Sequence, residues 1–319
     1  MEKIYLDEQT LDKWSEIAVP NVDLFFFETI DEIRNYMPSE SFFIPRSEFN
    51  EHGSYQTIDI INSYQLWAVS KKGKYVCVAP PQLFPTIDLE KKMAILEIQK
   101  RLNRGLIYNW SDLQGGLHSL PLSIQMDTLD KIESYLIQDE EETLIVFQKE
   151  MWSLLPKVFK RNVLSRLAES YMDEVPDLMN VKVPSSIEKY INRFPAANGP
   201  NCFAATLAAA TENVEAREWI ITQWVHLETL LLGLEMRGYQ EIDSGMDQLE
   251  PKDIVLWKND NANIIHASFH LENGLFFNKN GQTFFNPWQI VKRETLISNW
   301  GSNISVYRVG RYKKWKEQI

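Results

Sequence analysis

Cysteine and histidine are scarce in this sequence: two cysteines, Cys77 and Cys202, and five histidines stand among 319 residues. A single disulfide would add little to so long a chain, so we expect both cysteines to be free thiols. The few histidines include no His-x-x-x-His pair on a predicted helix, which is the spacing typical of a zinc site. We therefore predict no metal and no cofactor.

Long apolar runs are missing as well, and the one basic run, residues 308–316, is interpreted as a solvated tail. No segment approaches the roughly 18 consecutive apolar residues that span a bilayer, and residues 1–8 lack the basic-then-apolar order of an export signal. The net charge is −11. Because phosphate binding needs clustered Lys and Arg, this charge disfavours nucleic acid as a partner. We expect a cytoplasmic protein without a membrane span.

The chain does contain enough apolar residues to form two hydrophobic cores. The sequence is 44% hydrophobic, and its length suits two domains of ordinary size. Pro176 and Pro184 lie in residues 173–184, which we predict to be the linker. The sequence thus predicts an α+β N-terminal domain over residues 1–180, whose role it does not indicate, and a second domain over residues 181–319.

Composition and periodicity predict the elements of both domains. In the first, we expect strands at residues 24–27, 58–69 and 75–79, helices at 30–36, 88–104 and 151–171, and a loop at 110–121. In the second, we expect a helix beginning at Cys202, a helix over 216–237, and strands at 253–257, 264–271, 275–278, 283–285 and 304–309.

Cys202 occupies a chemically favourable place in this pattern. The run Gly199-Pro200-Asn201 forms a turn and delivers the cysteine to the start of an alanine-rich helix. The free N–H groups and positive dipole of a helix N-terminus favour a thiolate, so we expect the pKa of the Cys202 thiol to be lowered. Cys77 lies inside an apolar strand, where we expect a structural role.

A cysteine nucleophile needs an imidazole base, and the base needs a third polar group to orient it. His266 and Asn278 are twelve residues apart on two predicted strands joined by a turn at Asn273-Gly274. That separation lets two antiparallel strands bring the two side chains side by side. His270 faces the same way but lies about 13 Å further along the strand, so only one of the two histidines can reach the sulfur.

Two segments around these residues resemble the NlpC-type papain-like cysteine peptidases. They are residues 249–257 (LEPKDIVLW) and residues 266–278 (HASFHLENGLFFN). The resemblance covers about residues 195–310 and implies a papain-like domain with Cys202 as nucleophile, His266 as base and Asn278 as the third catalytic residue. The chain departs from the family pattern beside these residues.

The departures bear on substrate recognition. Asn201 and Phe203 flank the cysteine where the family has Asp and a small residue, Ser268 replaces the usual small residue after the histidine, and Lys252 replaces a turn glycine. We expect Asn201, Phe203 and Ser268 to contribute to substrate binding.

The resemblance implies hydrolysis of an amide bond through a thioester, with a small peptide or amide as substrate. Peptides derived from the cell wall are one implied class. Two alternatives stay open: a different papain-like enzyme, either an amidase of the CHAP type or a transglutaminase-like acyltransferase, and a catalytically degenerate scaffold that acts as a binding protein. An Asp orienting group is absent from the chain after Asp260, which disfavours the transglutaminase-like arrangement. The sequence does not indicate an oligomeric state.

Overall fold

A computed structural model describes residues 4–55, 57–63, 65–66, 68–139, 142–176 and 181–310. The chain forms two compact units. One is Glu8–Glu169, and the other comprises the described residues of Met1–Asp7 and Ser170–Ile319. Part of the predicted linker, residues 177–180, lies outside the described residues. Helices are mixed with antiparallel strand pairs in both units, which confirms the α+β class at this coarse level.

The Glu8–Glu169 unit contains two three-stranded sheets, ordered β1-β3-β2 and β4-β6-β5, with helices between the strands. Its elements are α1 (Glu8–Ile17), β1 (Asp23–Phe27), α2 (Ile30–Tyr36), β2 (Phe42–Pro45), α3 (Arg46–Glu51), α4 (Ile58–Ile61), β3 (Tyr75–Ala79), α5 (Leu89–Arg101), β4 (Ile107–Asn109), α6 (Trp110–His118), α7 (Leu122–Ile132), β5 (Leu136–Asp139), β6 (Glu142–Val146), α8 (Lys149–Leu154) and α9 (Lys157–Glu169).

Strand β1 is buried along its whole length although it lies at the edge of its sheet. Buried side chains satisfy its outer backbone groups. Gln99 accepts from the Phe26 N–H at 2.7 Å and donates to the Phe26 carbonyl at 3.0 Å, while Gln65 and Arg104 bind the N–H and the carbonyl of Leu24. Because an unpaired edge strand can pair with other chains, these side chains close the edge within the molecule.

The structure confirms the predicted strands at 24–27 and 75–79 and the predicted helices at 30–36 and 88–104. The strand predicted at 58–69 is wrong, because Ile58–Ile61 form α4, which Thr57 caps by accepting from the Ile60 N–H; residues 64 and 67 of this segment lie outside the described residues. The loop predicted at 110–121 is also wrong, because most of this segment forms helix α6. A Cβ on Gly116 would lie 2.9 Å from Asn162, so that glycine allows α6 to approach α9 closely.

The helix predicted at 151–171 is interrupted and forms parts of α8 and α9. The break falls at Leu155, immediately before Pro156, and α9 begins at Lys157. A proline disfavours helical backbone in the residue before it, so the helix ends there and a new one begins.

The other unit is built on one six-stranded sheet, in the order β11-β10-β9-β8-β12-β7. Its elements are α10 (Ser185–Glu188), α11 (Cys202–Ala209), α12 (Val214–Ile220), α13 (Leu227–Glu235), β7 (Tyr239–Ile242), β8 (Ile254–Lys258), β9 (Ile264–His270), β10 (Leu275–Asn278), β11 (Gln289–Lys292), α14 (Arg293–Trp300) and β12 (Ile304–Val309).

The two faces of this sheet bury different clusters. Alternate residues of β8, β9 and β10 pack with the alanines of α11, namely Ile254, Leu256, Ala267, Phe269, Leu275 and Phe277. A second cluster contains the intervening residues Val255, Trp257 and Phe276, together with Val291 of β11 and Leu296 of α14. Because side chains alternate along a strand, helix α11 lies on one face of β9 and the His266 side chain extends from the other.

The predicted strands at 253–257, 264–271, 275–278 and 304–309 are confirmed within a residue. The helix predicted over 216–237 is wrong, since α12 and α13 are separate helices and His226 is the N-cap residue of α13. The strand predicted at 283–285 is wrong as well. Its phenylalanines are buried in a turn, and β11 pairs with β10 instead. Aromatic residues favour burial as much as they favour strands, so composition misplaced the element.

Candidate functional site

Cys202 is the first residue of α11, as the sequence predicts. Asn201 caps this helix: its side-chain oxygen accepts from the Ala204 N–H at 2.9 Å, and its amide donates to the Val225 carbonyl at 2.7 Å. Both ends of the Asn201 amide therefore hold the helix start in place. Its predicted contact with substrate stays a prediction.

His266 and Asn278 form a hydrogen-bonded pair, with the imidazole Nε2 2.8 Å from the Asn278 Oδ1. The Asn278 amide nitrogen donates to Asn280, so Oδ1 is the atom that faces the histidine. An amide oxygen accepts, which means that Nε2 carries the proton and Nδ1 has a free lone pair. Within the described residues Nδ1 has no hydrogen-bond partner. The pair therefore presents a nitrogen able to take a proton.

Ser268 belongs to the same group of side chains. Its hydroxyl donates to Asn278 Oδ1 at 2.7 Å, and its Oγ lies 3.3 Å from His266 Nε2. The residue is fully buried. Ser268 therefore lies beside the hydrogen bond between His266 and Asn278. A substrate could contact Ser268 only by entering the interior of the fold.

Two tryptophans hold the imidazole plane, and the sequence analysis did not identify either of them as part of the site. The ring of Trp300 stacks on His266 at a centroid distance of 4.1 Å and an interplanar angle of 5°, and Trp257 lies at 5.6 Å. Trp300 is 34 positions from His266 and ends α14, so no local pattern connects them. The stacking restricts rotation of the ring and leaves Nε2 directed at Asn278.

Burial lowers the pKa of His266 to about 4, and the hydrogen bond with Asn278 acts in the opposite direction. The ordinary value is 6.5. The imidazole is therefore neutral at pH 7, as a general base must be before it accepts a proton.

The Cys202 sulfur lies next to the residues that follow the His266–Asn278 pair in the chain. The backbone N–H of Ala267, directly after His266, acts on the thiol, and so does the ammonium group of Lys279, directly after Asn278. The paired register of β9 and β10 ends at Phe269 and Phe277. The structure therefore brings His266 and Asn278 together but not Cys202, which lies beside Ala267 and Lys279 on the α11 side of the strands, whereas the His266 side chain extends from the opposite face.

The predicted lowering of the Cys202 pKa is wrong. Burial raises the pKa of this thiol to about 11, and the N–H groups of Ala267 and Phe203 together with Lys279 reduce that rise without reversing it. Both cysteines are free, as expected, and part of Cys202 reaches solvent whereas Cys77 is fully buried. The site at pH 7 accordingly holds a neutral thiol beside a neutral imidazole.

Lys279 is a residue that the sequence analysis missed. Its side chain is fully buried, and Nζ donates to the carbonyls of Gly281 at 2.7 Å and Thr283 at 2.9 Å. Burial lowers its pKa well below the ordinary value, while the Cys202 thiol acts to raise it. In its protonated form this lysine retains a third N–H beside its two neutral acceptors, which can serve a negative charge formed nearby. A lysine after a short strand is usually exposed, so no local pattern indicated that this one is buried.

His270 takes no part in this group, because its Nδ1 is 2.8 Å from the backbone carbonyl of Glu250. We expect His270→Ala to retain hydrolytic activity within a few-fold of wild type. The loss of a buried hydrogen bond should destabilise the unit by about 1–3 kcal/mol. Urea unfolding and activity assays on the same preparation check both expectations, and a fully inactive but folded His270→Ala protein would mean that the wrong histidine has been assigned.

The buried His266 predicts a pH dependence of stability. Between about pH 4 and pH 6.5 the unfolded chain binds a proton at His266 that the folded chain excludes. Stability from this residue is therefore complete above pH 6.5 and is lost as the pH falls to about 4, by about 3 kcal/mol. Asp23 in the other unit has the opposite effect. Burial raises its pKa from 3.8 to about 6, so its contribution to stability falls as the pH rises between these two values.

The measurement is urea unfolding at about pH 4.5 and about pH 7.5, followed by probes specific to each unit. His266→Gln, which cannot bind a proton at these pH values, should flatten the pH dependence of the unit that contains it. It should leave that of the Glu8–Glu169 unit unchanged. An unaltered pH dependence in His266→Gln would contradict the assignment.

Among the residues that the structure describes, no three His, Cys, Asp or Glu side chains are grouped so that they could hold a metal ion. The helices within those same ranges include none that is both long and apolar enough to cross a bilayer. Comparison of the chain with protein-family models, with curated proteins and with solved structures finds no match, so similarity assigns it to no family.

Proposed function

We propose that the unit containing residues 170–310 is a cysteine hydrolase that cleaves amide bonds through a thioester. Cys202 is the nucleophile, His266 the general base and Asn278 the residue that orients it. One observation carries the proposal: Cys202 stands at the capped start of α11, where the N–H groups of Ala267 and Phe203 and the buried Lys279 favour its thiolate.

The protonation states favour a general-base step over a preformed ion pair. With the thiol pKa at about 11 and the imidazole pKa at about 4, the proton stays on sulfur in the resting site. Because the His266 side chain extends from the face of β9 opposite α11, we propose that a water molecule carries the Cys202 proton to Nδ1 as Sγ attacks the carbonyl carbon, while Asn278 supports the imidazolium through Nε2.

The start of α11 supplies donors for the oxyanion. Asn201 caps the Ala204 N–H, so the N–H groups of Cys202 and Phe203 are the ones left free of the helix ladder at its first turn. Such groups stabilise a tetrahedral oxyanion when they point at it. His266 then protonates the leaving amine, and a water molecule that gives its proton to the same nitrogen hydrolyses the thioester.

A small peptide or amide is the proposed substrate. The resemblance to NlpC-type peptidases makes peptides derived from the cell wall the first class to test, and the expected cytoplasmic location fits recycling of such peptides better than remodelling of the wall. Phe203, partly buried at the helix start, stands where a small residue is usual and suggests an altered specificity.

The test is a screen of purified protein against peptide amides, including γ-D-glutamyl peptides, with Cys202→Ala as the blank. Mass spectrometry of rapidly quenched reactions should show an acyl group on Cys202 and none on Cys77. Turnover that persists in Cys202→Ala would exclude the proposed nucleophile.

A catalytically inactive binding protein is the second candidate, and the raised pKa of Cys202 is the observation that favours it. Iodoacetamide labelling at neutral pH separates the two. A hydrolase should label at Cys202 far faster than at Cys77, whose pKa burial raises to about 12. Equal, slow labelling of both thiols together with no turnover in the screen would support the binding protein.

A further inference from the structure

A second cavity lies at the opposite end of α11 from Cys202. Its volume is about 940 Å³, and its wall includes Ala209 and Ala210 at the end of the helix. Eight residues of helix separate the two sites, which corresponds to roughly 12 Å. A ligand bound in this cavity therefore lies too far away for the Cys202 sulfur to attack one of its bonds.

Three cationic side chains line this cavity: Arg217, Arg237 and Lys252. Glu212, which is exposed, is the one acidic residue among the lining residues. Within the described part of the chain, none of the three cations has a carboxylate at ion-pair distance. In a protein with a net charge of −11, three unpaired cations around one cavity need an explanation.

The arginines are anchored by neutral groups and keep donors free. Arg217 is 7% exposed and donates Nη1 to the carbonyls of Thr211 and Glu212 in the loop after α11, but its buried Nε has no partner among the described residues. Arg237 donates to the Thr211 hydroxyl at 3.0 Å and to the Gly233 carbonyl at 2.7 Å. Both guanidinium groups are held in place without being neutralised. A buried donor without a partner is costly unless a ligand completes it.

Lys252 also lines this cavity, and its backbone adopts a conformation that is unfavourable for lysine. Its φ is +77°, in the left-handed region where glycine is the usual residue. A lysine here carries conformational strain that glycine would avoid, and its side chain adds a positive charge to the wall of the cavity.

The geometry points to an anion-binding site in this cavity, with Arg217, Arg237 and Lys252 as its cationic groups and a small phosphate- or carboxylate-bearing molecule as its ligand. Guanidinium groups bind both kinds of oxyanion through paired N–H donors.

The experiment uses the full chain with Cys202→Ala as the background, so that binding is measured apart from any thiol chemistry. Calorimetric titrations with pyrophosphate and with citrate, each at matched ionic strength, identify which oxyanion is preferred. We expect at least one of them to bind and to raise the unfolding midpoint more than sodium chloride does. Arg237→Gln should weaken binding about tenfold.

Lys252→Gly gives a second, independent reading. Relief of strain should raise the unfolding midpoint of the free protein by about 2–4 °C while anion binding weakens about threefold. Lys292→Met, which removes an exposed lysine outside the cavity, is the matched control and should change neither quantity. The site is refuted if neither anion stabilises the parent protein beyond sodium chloride, or if Lys292→Met weakens binding as much as Lys252→Gly does.

Discussion

Replacing His266 with glutamine is expected to lower kcat/KM for amide hydrolysis by about 10³-fold or more, because the substitution removes the base that takes the Cys202 proton. Glutamine can still donate to Asn278 Oδ1 and occupy the space beside Trp300, so the fold should be retained. The measurement is the steady-state rate on the best amide from the screen, with circular dichroism and the unfolding midpoint on the same samples.

Labelling kinetics distinguish loss of the base from general disruption of the site. Iodoacetamide should modify Cys202 much more slowly in His266→Gln than in wild type near neutral pH, because the proposed acceptor of the thiol proton is then absent. Ser268→Ala is the comparison variant: it removes a hydroxyl bonded to Asn278 but leaves the imidazole, and should lose far less activity. Full activity in a folded His266→Gln protein would rule out His266 as the base.

Replacing Lys279 with methionine is expected to raise the pKa of Cys202 further and to slow its alkylation near pH 8 about tenfold. The reason is electrostatic. Lys279 is buried next to the thiol, and in its protonated form its charge stabilises the thiolate, although burial also lowers the pKa of this lysine. The measurement is the rate of Cys202 alkylation as a function of pH.

The control for this experiment is Lys258→Met, which removes a partly exposed lysine at the end of β8. Its alkylation profile should match that of wild type. Lys279→Met also removes the hydrogen bonds that Nζ donates to the carbonyls of Gly281 and Thr283, so the unfolding midpoint is measured in parallel. A folded Lys279→Met protein with an unchanged profile would show that this lysine serves the turn alone.

The parts of the site that depend on neighbouring residues were predictable. The turn before Cys202 placed the cysteine at the start of α11, and the Asn273-Gly274 turn, where both residues have positive φ, joined β9 to β10. Their register places Ser268 across from Asn278 and His266 on the diagonal, within hydrogen-bond reach. Spacing along the chain determines such pairs because the strand period and the turn geometry are local.

Elements that depend on distant packing were not predictable in the same way. The helical pattern over 216–237 gave no sign of the break at His226, and the glycines of α6 looked like loop residues because their helix partner α9 lies far along the chain. In both cases a local preference was overridden by what the segment packs against.

By itself the sequence determined the helix start at Cys202, the strand pair that carries His266 and Asn278, and the α+β class, because each follows from local propensity and chain spacing. The tertiary structure alone decided the ionisation of the site. Whether the Cys202 pKa rises or falls depends on the balance between helix dipole and desolvation, and desolvation is set by how many distant segments close around the sulfur. The same closure buried Lys279 and brought Trp300 onto His266, so the site acquired its charge and its rigidity from residues that no local pattern connects.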